Sequence, residues 1–125
     1  MKSLLAALAI AAAAFAPAAY ADCTYPQAPS HLPDGSSATL KEMLAGMQQV
    51  GAYNKAMEAY LSCIKLERDS RVAAAGATLT KQQKQELEAI EVQKNNAAVD
   101  QLHAVADQFN AQVKIFKAKG KSDGS

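Results

Sequence analysis

Residues 39–66, TLKEMLAGMQQVGAYNKAMEAYLSCIKL, constrain this chain more than any other stretch. Thr39 followed by Glu42 has the form of a capping box, in which the hydroxyl accepts from the Glu42 amide and the carboxylate reaches back. Leu40, Met43, Met47, Val50, Met57, Leu61 and Ile64 then recur at spacings of three and four, interrupted at Asn54. That period predicts a helix with a long apolar seam. Tyr53, Ala56, Tyr60 and Cys63 form a second strip beside it. One helix with two adjacent faces to bury needs two other segments to cover them.

Residues 1–21, MKSLLAALAIAAAAFAPAAYA, have the layout of a secretory signal peptide. Lys2 is the positive start, Leu4 to Ala16 the apolar run, and Ala19-Tyr20-Ala21 the small-x-small cleavage site, with cleavage expected after Ala21. The run falls short of the roughly 20 residues of a spanning helix, so no stable membrane insertion is expected after cleavage. Cys23 also brings a lipoprotein signal to mind, but Asp22 stands where lipidation needs a small residue.

Without Lys2, the thirteen basic residues become twelve against twelve acidic ones, a formal balance of zero. Nucleic-acid binders show a clustered basic surface, and none is expected here. Lys114, Lys117, Lys119 and Lys121 cluster near the C-terminus, where they solvate a last helical turn and suit its dipole.

Cys23 and Cys63 are the two cysteines, and in an exported chain a disulfide between them is the default expectation. Closing a loop of this length is worth roughly 4 kcal/mol on the chain-entropy argument. The segment 22–38, DCTYPQAPSHLPDGSSA, holds Pro26, Pro29 and Pro33, which favour extended backbone over helix. Pro33-Asp34-Gly35 is a turn signal in which glycine is free to take positive φ. From Thr39 to Cys63 a helix rises about 36 Å, and the extended segment reaches about 50 Å. The segment is therefore expected to double back as a strap, with Tyr25, Pro26, Pro29 and Leu32 over Tyr60, Ala56 and Tyr53. The two tyrosines of the helix read as a packing platform ahead of a recognition stripe.

The first helix is expected to extend to Ala75 and stop at Gly76, and Thr80 with Gln83 makes a second capping box. The second helix is predicted from Lys81 to about Lys117, with a seam of Val92, Asn95, Val99, Leu102, Ala106, Phe109, Val113 and Phe116. Leu87 and Ile90 fall off that register. A short link makes the helices antiparallel neighbours. Leu40 is then expected near Phe116, Met43 near Val113, Met47 near Phe109, Val50 near Val105 and Met57 near Ala98. Asn54 and Asn95 either fix register or sit at the seam's edge. Gly46 and Gly51 are either tolerated or admit a close neighbour, the strap or a second subunit. The predicted fold is all-α: an antiparallel two-helix hairpin over 39–118, the strap over 22–38 bonded to the first helix, and a disordered tail over 119–125.

Chemistry is sparse. His31 and His103 fall short of the three or four ligands zinc takes, and no metal or other cofactor is expected. Glu86, Glu88 and Glu91 alternate with Lys81 and Lys84 as on any solvated helix face. No phosphate-cradling glycine loop or nucleophile with its base is present, so no catalytic residue is assigned.

Cys23-x-x-Pro26, Pro33-Asp34-Gly35, Ala38-Thr39, Glu42-Met43, Tyr60-Leu61-x-Cys63, Ala97-Ala98-Val99 and Phe109-Asn110 resemble a group of small exported proteobacterial proteins of uncharacterised function. That resemblance implies a Gram-negative periplasmic setting and the Cys23–Cys63 pairing, and supplies no ligand. The expected role is a non-enzymatic helical interaction protein whose partners are a second copy, giving a homodimer, or an envelope protein. Leu44, Leu87, Ile90 and Ile115 lie off the main contact, and a paired hairpin would bury them. A periplasmic holdase using Met43, Met47 and Met57 is the alternative; a small metal- or ligand-binding bundle around His31 and His103 is the third.

Overall fold

A computed structural model describes residues 23–123 of the chain. The expected signal peptide, with its cleavage after Ala21, lies outside the described residues. What is described is all-helical apart from the strap: α1 spans Leu40–Ala75, a single 3₁₀ turn spans Gly76–Thr78, and α2 spans Lys81–Ser122.

Both helices start where their capping residues dictate. The Thr39 hydroxyl accepts from the Glu42 amide at 3.3 Å, and the Thr39 amide donates to the Glu42 carboxylate at 2.7 Å. Thr80 and Gln83 repeat the exchange at 3.2 and 2.9 Å. The first helix ends at Gly76, whose φ of 52° lies in the region glycine adopts without a Cβ penalty. The second helix outruns its expected end. Residues 119–122, read from the sequence as the start of a disordered tail, are helical, and the Asp123 amide donates to the Lys119 carbonyl. Lys119 and Lys121 in that last turn complement the helix dipole.

The helices are antiparallel neighbours, as a short link requires, but their buried lines are rotated from the expected seams. On α1 the buried residues are Met43, Gly46, Val50, Tyr53, Met57, Tyr60 and Ile64. Leu40 and Met47, expected to face Phe116 and Phe109, are 62% and 55% exposed. On α2 the buried residues are Ala98, Val105 and Phe109, with Leu102, Val113 and Phe116 packed on them. Val92 is exposed, Val99 and Ala106 are half-buried, and Leu87, set off the register, is half-buried too. Met57 and Ala98, expected to lie near each other, are both wholly buried in the shared core.

The strap causes this rotation. A two-layer seam would centre on the largest side chains, whereas a core shared by three segments centres where all three converge. Small residues at that point let the segments approach. Gly46 is one: a Cβ there would sit 2.6 Å from the Pro33 ring of the strap and 2.9 Å from Phe109 of α2. Its smallness is a packing requirement, which settles the choice left open by the sequence. Asn54 is exposed and Asn95 half-buried, so Asn54 lies off the contact line.

Candidate functional site

The strap is held at three places. At its start Cys23 is bonded to Cys63, with the Cα atoms 5.7 Å apart. Two residues on, the Tyr25 ring meets Tyr60 edge-on with centroids 5.0 Å apart, a preferred geometry for aromatic pairs. At its far end the turn is drawn against α2. The Asp34 carbonyl accepts from the Ser37 and Ala38 amides, and its carboxylate accepts from the Ser36 amide and hydroxyl. That turn presents the Gly35 amide to Gln112, whose Oε1 accepts at 2.9 Å. Gly35 does not take the positive φ that the Pro-Asp-Gly signal led us to expect; among the described residues only Gly76 does. It is needed for room: a Cβ would stand 2.0 Å from the Gln112 carbonyl oxygen.

Tyr53 and Tyr60 are buried under the strap. They form part of the main core line and not a separate strip, because the strap covers their flank of α1. Burial first, then the neighbouring Tyr25, hold both phenols above their ordinary pKa. The Tyr53 hydroxyl is buried without an aligned hydrogen-bond partner. Pro26 and Pro29 lie along Tyr53 and Ala56, where strap and helix enclose a broad, shallow cleft of about 610 Å³ that also reaches His31 and Gln49. A second cleft of about 320 Å³ runs on from His31 to Ala38, Glu42 and Gly46.

Reactive groups are not gathered in these clefts. His31 and His103 are both exposed, and among the described residues no three of His, Cys, Asp and Glu are grouped to hold a metal ion. Both cysteines are in the disulfide. At the closed end Arg68 Nη1 lies 2.5 Å from Glu91 Oε2, a contact of charge across the helices without an aligned hydrogen bond. Glu91 is therefore half-buried and not the solvated member of an acidic strip. Arg68 also donates to Asp69, which Lys65 contacts at 2.8 Å.

The chain matches no family model, no curated protein and no solved structure.

The remaining surface of interest lies away from the strap. Glu42, Ala45, Gln49, Ala52 and Ala56 line the strap's flank of α1, with Cys63 further along it. Leu40, Leu44, Met47 and Gly51 recur at four, three and four on the opposite flank, and all are exposed. On α2 Gln112 faces the strap turn. Val113, one step round the helix, borders the other groove, with Ala106, Val99 and Val92 continuing its line at seven-residue spacing. The sequence seams ran along this second groove, which the structure leaves partly open. Of the methionines expected to serve a holdase, Met43 and Met57 are buried and Met47 is exposed.

Proposed function

We propose that this chain is a non-enzymatic structural and interaction protein of the periplasm, a strapped helical hairpin that presents one groove to another protein. One observation carries the reading: the two grooves of the hairpin are unequal. The disulfide-pinned strap closes one, while the other exposes Leu40, Leu44 and Met47 in a line on a rigid helix. Single exposed apolar residues are ordinary, but an aligned patch marks a contact surface. The shallow clefts and the dispersed titratable groups support a role without catalysis, since an active site brings such groups together in an enclosed pocket. The disulfide is compatible with an oxidising compartment, and the resemblance to exported proteobacterial proteins favours the periplasm. Among the described residues no helix is long and apolar enough to cross a membrane.

Photo-crosslinking in cells that export the chain tests this. A crosslinker replacing Leu44 is expected to yield a discrete protein adduct. One replacing Ala104, exposed on the far side of α2, is expected to yield none. Absence of an adduct at both positions would remove the reading.

A further inference from the structure

The open groove differs in charge along its length. Gly46 lies against Phe109, which sets the levels of the antiparallel helices: Leu40 stands beside residues 114–115 of α2 and Leu44 beside residue 111. On α2 Lys114, Lys117 and Lys121 share one face at spacings of three and four, and Lys117 lies one turn beyond Val113 on the border of the groove. All three are exposed, and α2 carries no carboxylate from Gln108 to Ser122. Asp107 and Asp123 bound that stretch. On α1 Leu40, Leu44 and Met47 are exposed at the same end, while Glu42 lines the cleft under the strap. Seven residues past Gly51 the line reaches the exposed Glu58, with Lys55 nearby. The apolar line therefore runs from Leu40 to Gly51, about 16 Å or three helical turns.

We propose that this end of the groove receives a short amphipathic helix of another envelope protein. Its apolar side rests on Leu40, Leu44, Met47 and Val113, and carboxylates at the end over Leu40 reach Lys114 and Lys117. The inference rests on the interaction role argued above and names the chemistry of the partner. Two packed helices leave a furrow in which a third can nest, and the strap already fills the corresponding furrow on the other side. Charge selects the partner. The ion pairs of Lys65, Arg68 and Arg71 all lie toward the closed end, and among the described residues Lys114 and Lys117 have no carboxylate partner. An acidic segment answers them and a basic one is repelled. A flat anionic surface fits less well, since it would meet Glu58 and Asp107 as well as the lysines; a helix of three turns with its carboxylates at one end need not.

A photo-crosslinker replacing Leu44, in cells that export the chain, tests this when the adduct is mapped by mass to the partner peptide. That peptide is expected to show apolar residues at three-four spacing and aspartate or glutamate at one end. A carbodiimide, which joins an ammonium to a carboxylate in direct contact, should link Lys114 or Lys117 to the same peptide in periplasmic extract. Reversing both charges, Lys114→Glu with Lys117→Glu, is expected to cut the Leu44 adduct about tenfold or more, and the neutral pair Lys114→Gln with Lys117→Gln by less. Circular dichroism of the purified variants should show both helices kept. A protein adduct that ignores these substitutions, or that maps to a basic peptide or to a second copy of this chain, overturns the proposal and leaves the interaction role standing. An adduct to lipid in place of protein, or none at all, removes both.

Discussion

The amide of Gly35 donates to Oε1 of Gln112 at 2.9 Å, joining positions 77 residues apart. With the disulfide at the other end, this contact makes the strap a third layer tied to both helices. The N-terminal segment is thereby part of the core. Replacing Gln112 with alanine leaves a half-buried amide without its acceptor and is expected to lower stability by about 1 kcal/mol. Glutamate at 112 keeps an acceptor and should cost less; urea unfolding of the two variants compares them.

Two glycines five positions apart in α1 should respond to alanine with opposite signs. Gly46→Ala drives a methyl group into the Pro33 ring and Phe109, an overpacking cost of about 1–3 kcal/mol. Gly51→Ala meets open space and gains helix propensity worth up to about 1 kcal/mol. Denaturation midpoints at low protein concentration, where association does not contribute, decide between the signs.

Loss of the disulfide should be the most damaging single change. The bond closes a separation of 40 residues, so Cys63→Ser is expected to cost about 4 kcal/mol. The strap should also become open to protease ahead of Thr39, which limited proteolysis with mass mapping would reveal. A variant that keeps its protection would show that the Gly35 and Tyr25 contacts suffice.

Acid sensitivity follows from the carboxylates. The Thr39 amide and then its hydroxyl hold Glu42 below its ordinary pKa, and Ser36 does the same for Asp34. A folded pKa lower than the unfolded one contributes stability that is present above the ordinary carboxylate value and disappears as pH falls through the folded value. Stability should therefore be flat near neutrality and decline below about pH 4. Glu42→Gln keeps the reciprocal cap but not the charge, so its unfolding midpoint should fall less steeply over the same titration.

The buried Tyr53 hydroxyl has the Tyr25 phenol beside it but no well-aligned partner, so its removal takes away a desolvated group at the cost of no more than a weak contact. Tyr53→Phe is expected to leave stability unchanged or raise it, and to remove one high-pKa phenol from the ultraviolet titration. Tyr53→Ala should cost about 3–5 kcal/mol by emptying the core under the strap.

Much of this architecture is written in short-range rules. The capping boxes at Thr39 and Thr80, the stop at Gly76 and the stiff segment around Pro26 and Pro29 follow from steric and hydrogen-bonding preferences that act within a few residues. The chain lengths between Cys23, Thr39 and Cys63 allowed the strap to fold back and close the bond. Those features were determined by the sequence on its own. The choice among neighbouring stripes was not, because a three-four period sets which residues share a face and leaves rotation about the helix axis undetermined. Hydrophobicity put Leu40, Met47 and Val92 inside, while close packing of three segments buried Gly46 and Ala98 and left those larger residues in the open groove. Only the tertiary structure could decide that. Small side chains earn no weight in a hydrophobic pattern, yet they control how near two backbones can come.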